Sequence, residues 1–269
     1  MEFTLPVREQ NSNKGTFGKV LNVAGSKNYI GAAYLSSLAI LKSGAGYVAL
    51  ASDKNIIKSV SALLPEAVFL TRNEGVSNID KYNVVLIGCG LGRSFLSKYW
   101  FKKFIKRIKN SDKPVVIDAD GLNILAKLNV PIPTNSIITP HPAEAARLLG
   151  VNVNDILGDL ENSAKSLSKK YDCISVLKTH RTIVCSKSYE IYINEHGNSA
   201  LAKAGTGDVL AGIIAGLLAQ KMPVLEAAKL GVYLHSRAGE IASQDLTEYS
   251  VLASDLVNYL PQAIKEISQ

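Results

Sequence analysis

Short apolar runs, each closed by a turn, alternate along the chain with longer stretches whose apolar residues recur at helical spacing. The runs lie at 20–24, 47–51, 84–87, 115–117, 137–139 and 174–177. Such runs are typical of parallel strands that are buried on both faces. The stretch 31–43 shows the helical pattern, and Gly44 follows it where a C-capping glycine belongs. This alternation predicts an α/β fold in which helices flank a mostly parallel central sheet on both faces.

The pattern changes after residue 173. The segments 182–186 and 189–195 have the pattern of a hairpin that turns at Lys187 and Ser188. Everything from Asp208 onward has helical spacing. Because no Pro/Gly/Ser-rich spacer, low-complexity tract or internal repeat interrupts the chain, we expect residues 1–269 to form a single domain.

The charge of the chain is concentrated in one stretch. Of 269 residues, 47% are hydrophobic and 20% are charged, and the formal net charge is +7. Residues 98–113 hold seven lysines and arginines and one aspartate, so the rest of the chain is nearly neutral and a spread-out nucleic-acid-binding surface is not expected. The apolar residues at helical spacing in this stretch are Trp100, Phe101, Phe104, Ile105 and Ile108. They predict an amphipathic surface helix with solvated cations, the alternative being a face that attracts anions.

Several classes of protein are excluded. Cys89, Cys173 and Cys185 have no CxxC spacing, which argues against a disulfide framework or a zinc knuckle and fits a reducing compartment. The histidines show no HExxH pairing. The N-terminal segment has no apolar core of the kind that signal peptides carry, and the apolar run 209–219 is too short to span a bilayer. We therefore expect a cytoplasmic protein without a metal cluster.

Two candidate ligand-binding turns follow predicted strands, at the sheet edge where open α/β folds bind ligands. The turn 87–92 (IGCGLG) allows a ligand to approach its backbone, but Arg93 replaces the last glycine of a dinucleotide fingerprint, and no P-loop motif is present. Asp118, Asp120 and Asn123 follow the strand at 115–117. The two carboxylates are suited to holding Mg²⁺ through water or orienting a polar substrate, while Asp120 or Asn123 is also suited to capping the next helix.

A further candidate is the strand-to-helix turn that contains His141. This histidine lies between two prolines, which restrict its backbone and suit a ligand-facing side chain, although a structural hydrogen-bonding role is equally compatible with the pattern. Glu144 falls in the first turn of the following helix, where a carboxylate is favourable with the helix dipole.

The sharpest signal is the segment 204–208 (AGTGD), which directly precedes a helix. Small residues at a helix N-terminus leave backbone N–H groups free to bind a phosphate. Asp208 lies where the positive end of the helix is expected to keep a carboxylate ionised, and an ionised aspartate beside a phosphate site can take the proton of an attacking hydroxyl. The alternative is a plain helix-start residue. Lys178, at the end of the strand at 174–177, either reaches the same phosphates or is simply exposed.

Six segments in order resemble one family. They are GTFGKVLNVAGSKNYIGAAYLSSLAILKSGAGYV (15–48), IGCGLG (87–92), VVIDADGLN (115–123), TPHPAEAARLL (139–149), LKTHRTIV (177–184) and GNSALAKAGTGDVLAGIIAG (197–216). Together they resemble the ADP-dependent NAD(P)H-hydrate dehydratases, nicotinamide-nucleotide repair enzymes of the ribokinase-like superfamily. The resemblance covers nearly the whole chain and implies a single ribokinase-like domain.

The resemblance implies roles for individual residues. Those matching positions that contact the hydrated dinucleotide are Ala45, Gly92, His141 and Asp208. Those matching positions that hold the adenine nucleotide are Lys178, Thr179, His180, Arg181, Thr182, Gly205, Thr206 and Gly207. Further contacts to substrate or to water on Mg²⁺ are expected from Asp118, Asp120, Asn123 and Glu144. No residue is expected to bind the metal directly.

The implied reaction returns the S epimer of NADHX or NADPHX to NADH or NADPH. Asp208 deprotonates the hydroxyl of the hydrate, ADP phosphorylates it, and phosphate leaves as the ring nitrogen lone pair pushes, with AMP and phosphate as by-products and Mg²⁺ screening the phosphates. The family also implies a homotetramer, use of ATP as an alternative donor, and a separate epimerase in the same pathway. Only about 14 residues precede the resemblance, so no epimerase activity is expected in this chain.

Some positions depart from the family pattern, and two other functions stay open. Thr179 replaces the glycine usual after the lysine, and Cys89 replaces a proline and is expected to be a packing residue. Ala143 replaces the glycine of the HPGE motif, and Lys203, where a small or polar residue is usual, is expected to add charge near the nucleotide phosphates. A vitamin-precursor kinase of the same superfamily would use ATP and release its phosphorylated product, whereas a nucleotide sensor would not need Asp208.

Overall fold

The computed structural model describes residues 3–267 and contains one nine-stranded sheet. Its strands are β1 Lys19–Val23, β2 Tyr47–Ser52, β3 Val68–Thr71, β4 Val84–Ile87, β5 Val115–Ile117, β6 Ser136–Ile138, β7 Ile174–Leu177, β8 Ile183–Cys185 and β9 Ile191–Ile193. The strand order is β3-β2-β1-β4-β5-β6-β7-β8-β9, parallel through β7, with β8 and β9 antiparallel. The order therefore reverses between β1 and β4, and such a switch point is where open α/β sheets bind ligands.

Helices cover both faces of the sheet. They are α1 Ile30–Lys42, α2 Lys54–Ser61, α3 Arg72–Ser77, α4 Phe95–Ile108, α5 Asp120–Leu128, α6 Pro142–Leu149, α7 Val153–Gly158, α8 Leu160–Tyr171, α9 Thr206–Ala219, α10 Val224–Ser250 and α11 Ala253–Ile267. α1, α9, α10 and α11 enclose one hydrophobic core, and α4, α5, α6 and α8 enclose the other. Successive side chains of a strand point to opposite faces of the sheet, so Val20 of β1 packs in the first core and Leu21 in the second. The predicted α/β class and mostly parallel sheet are confirmed.

The central helix of the first core is α9, which is buried on nearly all sides. Two glycines allow α1 to pack against it closely: a Cβ at Gly212 would lie 2.5 Å from the Ser36 carbonyl oxygen, and one at Gly216 would lie 1.9 Å from Ser43 Oγ. This packing fixes the N-terminus of α9 at the edge of the sheet where the parallel strands end. Between residues 3 and 267, no helix is long and apolar enough to cross a membrane.

The elements largely follow the sequence pattern. The hairpin forms as β8 and β9, and the basic stretch forms the amphipathic helix α4, with Phe101, Phe104, Ile105 and Ile108 buried beneath its cations. The strand β3 was not predicted. It is one of the two edge strands and all four of its residues are only partly buried, so it lacks the apolar signature of the inner strands.

Candidate active site

Residues from three strand ends and one helix meet at the carboxyl edge of the sheet. Asp118 follows β5, Lys178 follows β7 and Asp208 lies in the first turn of α9. Cys89, in the turn after β4, completes the group that we call the buried cluster: Cys89, Asp118, Lys178 and Asp208. The thiol and the two carboxylates place one atom each within 4.8 Å of one another.

Asp118 is the centre of the buried cluster. It is 1% exposed, and its Oδ1 accepts hydrogen bonds from Lys178 Nζ at 2.8 Å and from the Thr139 hydroxyl at 2.7 Å. Cys89 Sγ lies 3.9 Å from the other oxygen. Burial lowers the pKa of Lys178, but the carboxylates of Asp118 and Glu144 outweigh burial, so the pKa is raised and the ammonium stays charged. The alternative that Lys178 is simply exposed is wrong. Cys89 is fully buried in the hydrophobic core, as expected of a packing residue, and its thiol also contacts Asp118.

Asp208 differs from expectation in its ionisation. Burial, and then the negative charge of Asp118, raise its pKa to about 7. The sequence predicted that the positive end of the helix keeps Asp208 ionised. With a pKa of about 7, the carboxyl is instead only partly ionised at neutral pH. A carboxyl that titrates near neutral pH is well matched to taking a proton from a hydroxyl and passing it on.

The N-terminus of α9 forms an open cradle beside this carboxyl. Gly205 begins it with φ 93°, a left-handed conformation that favours glycine. A Cβ at Gly207 would lie 3.3 Å from Lys178 Nζ and 3.9 Å from Asp118 Oδ2, so the absence of a side chain keeps the approach to both groups open. The Thr206 hydroxyl donates to the preceding turn, where its oxygen lies 2.8 Å from the Leu201 carbonyl oxygen and 2.9 Å from the Lys203 carbonyl oxygen. The cradle combines free N–H groups with a nearby ammonium, as a phosphate site requires.

A buried histidine that the sequence did not point to supports the cradle. His235, on α10, places Nε2 2.9 Å from the Thr206 carbonyl oxygen. Burial lowers the pKa of His235 to about 4, so the ring is neutral near pH 7 and donates this hydrogen bond from Nε2. No spacing in the sequence links His235 to the glycine-rich segment, because the two meet only through packing of α9 on α10.

His141 and Glu144 form a capping box at the start of α6. Glu144 Oε2 accepts from the His141 backbone N–H at 3.0 Å, and His141 Nδ1 accepts from the Ala143 N–H at 3.2 Å. Burial raises the pKa of Glu144 to about 7, whereas burial and the charge of Lys178 lower the pKa of His141. The loop lies beside the buried cluster, because the Lys178 N–H donates to the Pro140 carbonyl at 2.8 Å. His141 is thus a half-exposed neutral ring at the border of the cluster.

The two carboxylates after β5 point to different places. Ala119 between them has φ 50° and ψ −118°, a strained conformation for alanine that separates the two side chains. Asp120 accepts from the Gly92 N–H at 2.8 Å and lies 3.3 Å from Arg93 Nε. Asn123 donates to the Ala119 carbonyl and accepts from Arg147. The alternative that Asp120 or Asn123 caps α5 is therefore wrong.

Asp120 faces an open cleft of about 420 Å³ at the switch point between β1 and β4. We call it the anion cleft and define it by six of its lining residues. They are Ser26, Lys27, Arg72, Gly92, Arg93 and Asp120. Gly92, predicted to contact substrate, therefore lies where the cleft meets the loop that leads to the buried cluster.

The segment predicted to hold the adenine nucleotide folds as a tight turn between β7 and β8. Thr179 Oγ1 donates to the Arg181 carbonyl at 2.8 Å, and Thr182 Oγ1 donates to the Thr179 carbonyl at 3.1 Å. His180 and Arg181 are exposed at its tip, where Arg181 pairs with Glu195. Lys178, at the base of this turn, joins it to the buried cluster.

Ala45 is not brought to this edge of the sheet. It precedes β2, at the end where the parallel strands begin. The neighbouring Gly44 packs against Gln220, just beyond the C-terminal end of α9, whereas Asp208 lies in the first turn of that 14-residue helix. Lys203 donates to the Tyr249 carbonyl. Its position after the short turn Ser199–Leu201 is close to the cradle in sequence, but its ammonium is held by the end of α10.

The chain is similar to known proteins along most of its length. Residues 20–262 match the family model described as NAD(P)H-hydrate dehydratase. The chain is 39% identical to the ADP-dependent (S)-NAD(P)H-hydrate dehydratase of Neisseria meningitidis, over 88% of this chain and 81% of that protein. It is 33% identical to the bifunctional NAD(P)H-hydrate repair enzyme Nnr of Thermofilum pendens, and here the chain spans about half of the relative, 53% of its length.

Solved structures share the fold. The crystal structure of the ADP/ATP-dependent NAD(P)H-hydrate dehydratase of Bacillus subtilis, co-crystallised with ATP/Mg²⁺, superposes with a TM-score of 0.89 at 32% identity, covering 98% of this chain and 95% of that one. The hydroxyethylthiazole kinase of Pyrococcus horikoshii, with a TM-score of 0.64 at 14% identity, shares the fold alone.

Proposed function

Because the chain belongs to the NAD(P)H-hydrate dehydratase family, we propose that it dehydrates the S epimer of NADHX or NADPHX at the expense of ADP. The observation that carries this proposal is the position of Asp208. Its carboxyl has a pKa of about 7 and lies at the N-terminus of α9, within the same buried cluster as the ammonium of Lys178. A proton acceptor and a phosphate cradle thus share one small space, as phosphoryl transfer to a hydroxyl requires.

In the first step, the hydroxyl oxygen of the hydrate attacks the terminal phosphorus of ADP. Asp208 takes the hydroxyl proton as the new P–O bond forms, and the bond to the bridging oxygen breaks to release AMP. The N–H groups of the α9 N-terminus and Lys178 bear the charge that develops on the phosphoryl oxygens. Asp118 holds Lys178 in place through the 2.8 Å ion pair.

In the second step, the phosphorylated hydrate loses phosphate. The lone pair of the ring nitrogen expels phosphate from the neighbouring carbon, and loss of a proton from the next ring carbon restores the dihydronicotinamide. Phosphorylation is useful because hydroxide is a poor leaving group and phosphate a good one. We propose that His141, which is half-exposed beside the buried cluster, contacts the nicotinamide part of the substrate.

We propose that Mg²⁺ acts through the nucleotide phosphates and water. Mg²⁺ prefers oxygen ligands and keeps several waters when it binds phosphates. In the buried cluster, Oδ1 of Asp118 already accepts hydrogen bonds from Lys178 and Thr139, and the Cys89 thiol lies beside Oδ2. This donor set fits a metal that Asp208 and Asp118 contact through water better than one they bind directly. When bound, the ion neutralises phosphate charge.

The remaining features of the proposal come from the family. We propose that the 178–182 turn and the 205–207 segment hold the adenine nucleotide, that ATP can replace ADP, and that the enzyme acts as a cytoplasmic homotetramer beside a separate epimerase. The structural support is that Lys178 and Gly207, one from each segment, approach each other at the buried cluster.

The deciding experiment incubates the purified protein with NADHX and Mg²⁺, in parallel with ADP, with ATP and without nucleotide. We expect recovery of the dihydronicotinamide absorbance with ADP, and formation of AMP in equal amount. Recovery without nucleotide, or none with either nucleotide, would contradict the proposal. Transfer of phosphate from ATP to a small alcohol, with a stable phosphorylated product, would instead indicate a kinase.

A further inference from the structure

The second step of the proposed reaction releases a proton, and that proton needs an acceptor. When the ring nitrogen expels phosphate, the carbon that bore the oxygen becomes doubly bonded to nitrogen and the ring is an iminium ion. Removal of a proton from the next ring carbon then restores the dihydronicotinamide. A base positioned beside that carbon accelerates such a step, typically by about 10²-fold or more.

The groups of the buried cluster are already committed when this proton is released. Asp208 holds the proton that it took from the hydroxyl in the first step. Asp118 is 1% exposed, and its charge is matched by the ammonium of Lys178, with which it pairs at 2.8 Å. Burial raises the pKa of the Cys89 thiol well above its usual value, so the thiol keeps its proton. The acceptor must therefore lie at the border of the cluster.

His141 lies at this border but is not suited to take the proton. Its Nδ1 already accepts a hydrogen bond from the Ala143 N–H at 3.2 Å. Burial and the charge of Lys178 lower the pKa of His141, so the ring is neutral and carries its one proton on Nε2. Nε2 lies 3.5 Å from Oε1 of Glu144. Neither ring nitrogen is therefore a free acceptor, and the imidazole can only donate.

Glu144 is the acceptor that remains beside His141. It lies in the first turn of α6, and its side chain is 5% exposed. Oε2 accepts from the His141 backbone N–H at 3.0 Å, whereas Oε1, within residues 3–267, has only the 3.5 Å contact with the His141 ring. One oxygen thus holds the carboxyl in place while the other is free to accept a proton. Burial raises the pKa of Glu144 to about 7, which suits a base that works near neutral pH.

We propose that Glu144 is the base of the second step and that its Oε1 takes the proton from the ring carbon next to the one that loses phosphate. This rests on the proposed function, in which His141 contacts the nicotinamide and so brings the ring beside Glu144. Phosphate leaves with the electron pair of the C–O bond. The pair of the broken C–H bond forms the new C=C bond, the pair of the C=N bond returns to nitrogen, and an O–H bond forms on Glu144. Asp208 and Glu144 thus take one proton each, in successive steps.

The test compares the two products of one turnover. Glu144→Gln removes the base, but the amide oxygen can still accept from the His141 N–H and keep the capping box. With NADHX, ADP and Mg²⁺, we expect NADH formation to fall at least about 10²-fold. AMP is a product of the first step, so it should appear in excess over NADH from the first turnover. Glu161→Gln, which changes an exposed glutamate in the first turn of α8, is the matched control and should keep both rates and equal amounts of the two products.

Deuterium identifies the step that the substitution slows. In NADHX with both hydrogens of the carbon next to the hydroxyl-bearing carbon replaced by deuterium, only the step that breaks this C–H bond is directly affected. We expect Glu144→Gln to form NADH more slowly from the deuterated substrate than from ordinary NADHX. The initial rate of AMP formation should be the same for both substrates.

Other outcomes would contradict the assignment of Glu144. An unchanged rate of NADH formation in Glu144→Gln would mean that the departing phosphate or water takes the proton. Equal losses of AMP and NADH formation, without an isotope effect, would leave Glu144 only the structural role of holding His141. Failure of the wild type to form AMP from ADP and NADHX would refute the proposed function itself, and the assignment of Glu144 with it.

Discussion

The buried cluster and the anion cleft both start from strand ends, and they share one loop, yet their charges behave differently. Asp118 is 1% exposed, and its presence together with burial brings the pKa of Asp208 to about 7. Two residues along the chain, Asp120 pairs with Arg93, whose side chain is 56% exposed. Enclosure turns neighbouring carboxylates into a proton acceptor, whereas the exposed guanidinium of Arg93 stays accessible to a ligand from solution.

The largest effect is expected from removing the proton acceptor. Asp208→Asn keeps the size of the side chain but cannot take a proton, so we expect kcat for NADHX to fall at least about 10²-fold. The Kd of the substrate should change little by comparison. Steady-state assays with saturating ADP measure the effect, and Asp112→Asn, an exposed aspartate, is the control. A kcat within a factor of a few of wild type would show that another group is the base.

A second substitution separates charge from burial within the cluster. Lys178→Met leaves Asp118 buried without its ammonium partner, which we expect to lower the free energy of unfolding by about 3 kcal/mol. It also removes a cation from the phosphate cradle, so the KM for ADP should rise about tenfold or more. Denaturant unfolding and ADP kinetics measure the two effects. Lys187→Met, whose partner Asp172 is exposed, should change neither substantially.

The pH dependence of kcat reports the ionisation of Asp208. Because Asp208 must be deprotonated to act as a base and its pKa is about 7, kcat for NADHX should rise with pH through about 7 and then level off. The Cys89 hydrogen bond lowers the pKa of Asp208, so Cys89→Ala should move the midpoint to higher pH, lowering activity near pH 6 with little change near pH 9. The first of these pH values lies about one unit below that pKa and the second about two units above it.

Two variants control that measurement. Cys89→Ser retains a donor and should restore the midpoint towards wild type, and Cys173→Ala, a buried cysteine beside β7, should leave it in place. A midpoint that stays unchanged or moves to lower pH in Cys89→Ala would mean that the thiol does not donate to Asp208.

The positions of the main groups could be predicted from the sequence for a simple reason. Asp118 and Lys178 each follow an apolar run, and parallel strands place such positions along one edge. Asp208 follows glycines at the start of a helix, which is also a local signal. Strand ends and helix starts are set by short segments, so the buried cluster could be anticipated before its distances were known.

The rest depends on packing between distant segments. Arg72 follows β3, an edge strand that lacks an inner-strand pattern, and His235 meets Thr206 only through the contact of α10 with α9. The ionisation of Asp208 was misjudged because helix position is local, whereas burial is a property of the whole fold. Ala45 is the opposite case. Its motif matches the family pattern, but the match does not show at which end of β2 the residue lies.

The smallest expected effect concerns the basic face of α4, where charge is present without enclosure. Arg107 pairs with Asp80, and both side chains are about half exposed or more, at 48% and 63%. Arg107→Ala should therefore lower the free energy of unfolding by less than about 1 kcal/mol. The KM for NADHX should stay within about twofold at any ionic strength, because Arg107 lies in the last turn of α4, at the end away from the loop after β4. A KM that rises at low salt and converges with wild type at high salt would instead show that the face attracts the substrate from a distance, so that long-range charge as well as enclosure governs substrate binding.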